Sequence, residues 1–174
     1  IYRHSTLANY KVVRAADGEV VAQLNDIRDF SLASDEQTYA FAKGNNLYVG
    51  TLGNEPRAIT TDGEWNKVIN GTADWVYEEE YGFTKAYAFS NDGREIAYLK
   101  FDESRVKEFE MMRFDNTLYN KAYSFKYPKA GDDNSIVTLH VYNLYNGATR
   151  EVPVGDTTDQ YIPRLGYTPS GNLF

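Results

Sequence analysis

The sequence predicts an all-β chain that is a fragment of a β-propeller: about three four-stranded blades, one short helical insertion and one projecting hairpin arm. Three observations carry that expectation. Short apolar runs recur with turn signals between them, and no sustained 3.6-residue pattern interrupts them. Fifteen Tyr and nine Phe join many Val and Thr, residues that fit a pleated surface. Two kinds of strand–turn–strand unit alternate along the chain, so that one repeat amounts to about four strands, as in a propeller blade.

The first unit occurs three times, as YKVVRAADGEVVAQL (10–24), NLYVGTLGNEPRAIT (46–60) and TLHVYNLYNGATREV (138–152). Its turns carry Asp17-Gly18, Gly53-Asn54 and Asn146-Gly147, dipeptides that supply the positive φ of tight hairpins. The second unit is FSLASDEQTYAF (30–41), YAFSNDGREIAY (87–98) and the shorter GYTPSGNLF (166–174), an aromatic-rich strand followed by a polar turn and an apolar strand. Equivalent valines lie 37 residues apart between Val12 and Val49 but 92 apart between Val49 and Val141, so the second interval must hold insertions. A sandwich of unrelated hairpins would share the strand content but not the alternation of units.

Two insertions are visible. One is DWVYEEEYGF (74–83). The other runs from about Asp102 to Asp133, where KEFEMMRF (107–114) and AYSFKYP (122–128) flank the polar DNTLYN (115–120), a pattern expected to form a long hairpin. Tyr123, Phe125 and Tyr127 alternate and so line one face of its second strand. That face either folds back on its own blade or meets a second subunit, since a bare aromatic edge in water is a liability.

Bulk properties narrow the function classes. The chain has 174 residues, 42% of them apolar and 25% charged, enough for a core and against wholesale disorder. A net charge of -7 offers no basic patch for phosphates, so nucleic acid is not an expected partner. The same charge favours cationic ligands. Without cysteine there is no disulfide and no thiolate metal site. The chain begins at Ile1 and stops at Phe174 inside an apolar run, which reads as a piece of something larger, residues 1–174 forming part of a propeller domain.

The run Glu78-Glu79-Glu80 admits two explanations. Asp74 can cap a short helix starting at Trp75, Gly82 can end it, and acids in its first turn gain from the macrodipole, so a solvated helical turn accounts for the stretch. Alternatively, two of the three carboxylates converge on a cation. Successive helical residues point about 100° apart, so two neighbours can share a pocket while the third points elsewhere. A primary ammonium, with three donors, suits such a pair. Trp75, Tyr77, Tyr81 and Phe83 are candidates for drying the walls around it.

With these residues in view, the chain resembles the N-terminal propeller of the dipeptidyl peptidase IV group of the prolyl oligopeptidase family. NGTADWVYEEE (70–80), YPKAG (127–131), YRHS (2–5) and DQYIPRLGYT (159–168) carry the resemblance, in order over nearly the whole chain. It implies an eight-bladed propeller capping an α/β-hydrolase domain in a serine exopeptidase that releases X-Pro or X-Ala dipeptides from a free N-terminus. It puts the binding of the substrate α-ammonium on Glu79 and Glu80, and the orientation of a substrate carbonyl, with pairing to the acids, on Arg3. It also implies a homodimer formed partly through the arm at 106–128, no cofactor, and a bacterial protein that is periplasmic, cell-surface or secreted. The YGFTKAYAFS that follows the glutamates departs from the family pattern, and further pocket contacts are not assigned there.

The expected nucleophile, with its Asp and His, belongs to the C-terminal hydrolase domain; no Gly-x-Ser-x-Gly elbow occurs in these residues, which alone should hydrolyse nothing. His140 reads as an ordinary strand position and His4 as a structural neighbour of Arg3. Asp132-Asp133-Asn134 lacks the spaced ligands of a calcium loop and reads as a solvated turn. Asn70-Gly71-Thr72 is a glycosylation sequon without meaning in most bacteria. The alternative to a peptidase is a non-catalytic propeller that kept the scaffold and binds peptides or proteins. A WD- or kelch-type interaction propeller lacks its signatures here.

Overall fold

Turn chemistry sets the strand pairs. In a computed structural model, which describes residues 2–156 and 158–174, Gly18, Gly53 and Gly147 all take positive φ, at 76°, 82° and 74°. Each closes one of the expected hairpins. β1 (Ala8–Val13) pairs with β2 (Val20–Leu32), β4 (Asn46–Thr51) with the short β5 (Arg57–Ala58), and β11 (Ile136–Asn143) with β12 (Thr149–Val152). The second kind of unit also forms: the end of β2 pairs with β3 (Thr38–Lys43), and β7 (Tyr87–Phe89) pairs with β8 (Glu95–Asp102). A Tyr167–Leu173 bridge begins one more such unit.

The units assemble into antiparallel sheets in chain order. One sheet runs β1-β2-β3-β4-β5; the other runs β12-β11-β8, with β6 (Val68–Asn70) and β7 side by side along the free edge of β8. β2 is long because it serves two blades. Asp26 and Asp29 take positive φ (55° and 53°), and the pairing with β3 slips between Arg28 and Ser31, so the strand bends from one blade into the next. The result is two four-stranded blades flanked by part of a blade on each side, matching the expected propeller fragment.

The blades pack face to face, which explains why central strands are apolar on both sides. Ile96, Ala97, Tyr98 and Leu99 of β8 are all buried. Alternate residues go to opposite faces: Ile96 and Tyr98 meet Ala40, Leu47 and Tyr142 between the blades, while Ala97, Leu99 and Phe101 pack with Ile69, Tyr77 and Val137. β3 divides in the same way, Ala40 to the inter-blade core and Tyr39 and Phe41 to a third cluster with Leu24 and Ile27. Tyr87 stitches the blades by donating its hydroxyl to the Ala40 carbonyl at 2.9 Å. At Gly50, opposite Tyr39, a Cβ would lie 2.4 Å from the tyrosine ring, so the bare backbone makes room for the aromatic.

The arm is a two-stranded hairpin, β9 (Glu108–Arg113) with β10 (Lys121–Lys126), joined to no other sheet. Its aromatic face folds back at the base. Phe125 is buried against Tyr2 and Phe109, Tyr123 packs on Trp65, and Tyr127 packs on Trp75 with ring centroids 4.2 Å apart. Of the two expectations for these alternating aromatics, folding back on the body of the propeller is the one the structure shows. What stays open is β9, Met111 and Met112 included, and above all the tip, with Phe114, Leu118 and Tyr119 77%, 90% and 80% exposed. Asp132 and Asp133 pair with Lys107 and Arg105 and tie down the arm's two roots, so that turn is a brace. Among the described residues no three His, Cys, Asp or Glu gather as metal ligands. Asn70 is fully buried and donates to Asp62, so its sequon is closed to modification in the fold.

Glu103, where β8 runs into the arm, is buried beside Asp74 and Lys126. Burial first and the Asp74 charge second push its carboxyl up to about 8, against the pull of Lys126. The native state thus keeps a proton that the unfolded chain releases near 4.5. The associated stability is complete below that lower value and is lost as pH rises toward 8, a change on the order of a few kcal/mol. Glu103→Gln should flatten this slope: denaturant midpoints at pH 5 and pH 8.5 should differ less in the variant than in the wild type. Parallel losses in both proteins would contradict the assignment.

Candidate functional site

The glutamate run lies on α1 (Trp75–Tyr81), a helix of seven residues that forms as its sequence indicates. Asp74 caps it, accepting from Tyr77 N at 2.9 Å, and Gly82 ends it in the left-handed region at φ 68°. The Asp74 carboxylate also accepts from Ser135 Oγ at 2.6 Å and is wholly buried, which raises its pKa against the opposing pull of those bonds.

The three glutamates point three ways, as helical rotation requires. Glu78 turns inward and is 1% exposed. One of its oxygens accepts from the backbone N–H groups of His4 (2.5 Å) and Ser5 (2.9 Å), and the other accepts the Ser5 hydroxyl. Arg28 Nη2 stands 3.8 Å away. Glu79 lies at the rim, its side chain 15% exposed, 3.4 Å from Arg3 Nη1 and 3.9 Å from His4 Nε2. Glu80 is exposed and makes no ion pair among the described residues. The structure thus brings Arg3 and Glu79 together, and places Glu80 beside them on the solvent side. A purely solvated run is excluded by Glu78, whose charge is buried and answered by donors from a segment 73 residues away.

Glu79 receives no hydrogen bond among the described residues, only the Arg3 ion pair and the longer contact with the His4 ring, so acceptor sites on its carboxylate remain open. It faces a shallow cleft lined also by His4, Phe83, Thr84 and Lys85. Of the four aromatics expected to wall the site, only Phe83 lines this cleft. Tyr77 is a core residue, edge-on to Phe101 with centroids 4.9 Å apart, its hydroxyl accepting from Ile162 N at 2.8 Å. Tyr81 packs on Tyr161, and Trp75 on Tyr127 of the arm's root. These rings dock the helix; they do not dry a pocket.

Two contributors escaped the sequence reading. Ser5 closes the Arg3-His4-Ser5 stretch that carries part of the resemblance, its one signal in the sequence. Arg28 is an isolated cation in a strand, with no local signal. It is nearly buried between Glu78 and Asp29, each 3.8 Å from it, and its Nε and Nη2 have no hydrogen-bond partners among the described residues. His140 is the ordinary strand residue expected: half-buried, stacked on Tyr98, with burial lowering its pKa.

The four stretches that carry the resemblance therefore meet around one helix. The family model "Dipeptidyl peptidase IV (DPP IV) N-terminal region" matches residues 1–174. The chain belongs to the dipeptidyl peptidase IV family. Dipeptidyl peptidase 4 of Trichophyton equinum is 32% identical over 183 residues, covering 98% of this chain and 23% of that protein. "Inactive dipeptidyl peptidase 10" of Rattus norvegicus is 34% identical over 154 residues, covering 83% and 19%. The crystal structure of Porphyromonas gingivalis dipeptidyl peptidase 4 superposes with a TM-score of 0.89 at 35% identity, over 97% of this chain and 24% of that one. The chain spans about a quarter of the length of these dipeptidyl peptidase 4 relatives, and its fold is that of the family's N-terminal propeller region.

Because a helix this short depends on its cap and its docking, Asp74→Ala should be costly. It removes the Tyr77 cap bond and strands the Ser135 hydroxyl, a loss of about 1–3 kcal/mol. A denaturation midpoint within error of wild type would show that the helix is held by its aromatic contacts alone.

Proposed function

We propose that this region is the substrate-recognition part of a serine exopeptidase that releases X-Pro and X-Ala dipeptides. In this reading Glu79 and Glu80 bind the α-ammonium of a peptide's free N-terminus, Arg3 orients a backbone carbonyl, and a C-terminal hydrolase domain of the same protein supplies the serine. The observation that carries it is the Arg3–Glu79 pair on the rim of a cleft, with acceptor sites on Glu79 still open and the unpaired Glu80 next to it. An ammonium arriving there would meet the Glu79 carboxylate in a partly desolvated place, where attraction exceeds its value in bulk water, with the exposed Glu80 as a second acceptor on the solvent side. Such a site measures a peptide from its amino end. The reading carries with it a periplasmic, cell-surface or secreted location, where free peptides are met.

One observation favours a second reading, that of a non-catalytic binding propeller: the rat relative named as inactive matches this chain at 34% identity over 83% of it, beside 32% over 98% for the fungal relative. Recognition groups can outlast a lost nucleophile. Hydrolysis of Gly-Pro-p-nitroanilide by the full-length protein separates the two.

In that protein Glu79→Gln or Glu80→Gln should lower kcat/KM for the free-amine substrate by roughly 30-fold or more, corresponding to about 2 kcal/mol or more for a broken charge pair. An N-acetylated twin, already a poor substrate, should lose almost nothing further. Equal losses on both substrates would show that the two acids serve the fold.

We also propose that the exposed arm tip contributes to a two-fold interface. Phe114, Leu118 and Tyr119 leave apolar surface open on a structure whose own aromatic face is already covered. Removing residues 114–119 with a short turn in their place should shift the full-length protein toward monomer in sedimentation. An unchanged dimer counts against the arm.

A further inference from the structure

The first glutamate of the run has no part in the recognition just described, yet it is the most constrained of the three. Its carboxylate gathers two consecutive backbone N–H groups, those of His4 and Ser5, on one oxygen and the Ser5 hydroxyl on the other. Two adjacent N–H groups bound to one atom fix both the place and the direction of a chain. Tyr2 N closes the same segment by donating to Ser5 Oγ at 3.1 Å. The residue enclosed between these bonds is Arg3.

That enclosure matters because, among the described residues, Arg3 has little else to hold it. Its side chain is 75% exposed, and its ion partner is Glu79, 3.4 Å away. A long exposed side chain loses considerable rotamer freedom when it settles into one geometry, so an unanchored backbone would leave the pair loosely defined. A buried carboxylate such as Glu78 in turn needs a counter-charge, and Arg28 supplies it from the bend of β2, with Asp29 on its other side. The bend is set by the positive φ of Asp29 and the register slip beside it. A chain of contacts thus runs from one blade's entry strand through the helix to the rim of the cleft.

We propose that Glu78, together with Ser5 and Arg28, is the positioning group of the amino-end site: it holds residues 3–5 so that Arg3 and Glu79 meet in register for a peptide's ammonium and first carbonyl. The inference rests on the reading of Glu79 as an ammonium ligand. None of the three touches the substrate; they act through Arg3.

The test is a set of double-mutant cycles in the full-length protein, read as kcat/KM for Gly-Pro-p-nitroanilide. Ser5→Ala and Glu78→Gln should each cost about tenfold, ~1.4 kcal/mol, and Arg28→Lys should cost less than Arg28→Gln. In an Arg3→Ala background the same changes should cost less than about twofold, because the residue they position is gone. Equal losses in both backgrounds would mean that Glu78 supports the fold at large, and the inference would be overturned. No loss from Ser5→Ala or Glu78→Gln, alongside a large loss from Glu79→Gln, would overturn the inference and leave the recognition reading standing. No loss from Glu79→Gln would remove both. Should Glu78→Gln fail to fold, Ser5→Ala removes a single hydroxyl and carries the cycle. A protein without hydrolytic activity is assayed by calorimetric binding of Gly-Pro-amide, with the same ratios expected.

Discussion

A seven-residue helix has no stability of its own in water, because nucleation costs more than two turns of hydrogen bonds return. Here such a helix carries the acidic run, so everything about the site depends on how α1 is docked. Most side chains of the helix that face the protein are tied to segments outside it. Asp74 at its cap reaches Ser135, Trp75 reaches the arm's root, Tyr77 enters the blade core and accepts from Ile162, Tyr81 meets Tyr161, and Glu78 reaches back to residues 4 and 5. The helix is the point where segments distant along the chain are fastened to one another.

This placement resolves the electrostatic oddity of three adjacent acids in a chain of net charge -7. Neighbouring carboxylates repel, but the helix rotates them into different surroundings. Glu78 is buried and answered by peptide N–H groups, a hydroxyl and Arg28; Glu79 is half-answered by Arg3 at the rim; Glu80 is left to solvent. The gradient from satisfied to open is the chemical content of the site. Open acceptor capacity in the run lies at the outer two positions.

The blades supply rigidity to this arrangement. Strands buried on both faces, such as β8, hold the loop that leads into α1, since Gly71 N donates to the Leu99 carbonyl and Ala86 N to that of Gly71. The arm leaves the same strand, so its root and the helix share Trp75, Tyr127 and the buried Glu103 neighbourhood. An event at the arm and the geometry of the glutamates are therefore mechanically adjacent, through packed side chains a few ångströms apart.

Much of this was legible in the sequence. Glycine-bearing turns and alternating apolar positions determine hairpins locally, so the repeat of units, the cap at Asp74 and the stop at Gly82 could be read residue by residue. The pairing of Arg3 with Glu79 came from resemblance and from no local rule, since 76 residues separate them. Only the tertiary structure decided which glutamate turns inward, because helical rotation places successive residues about 100° apart but leaves their absolute orientation to docking. It also decided that Tyr123, Phe125 and Tyr127 cover the arm's root, and that Tyr77 is core and not pocket wall. Arg28 was invisible for the same reason: a lone charge in a strand gains its meaning from a carboxylate 50 residues away, which only the fold brings within reach.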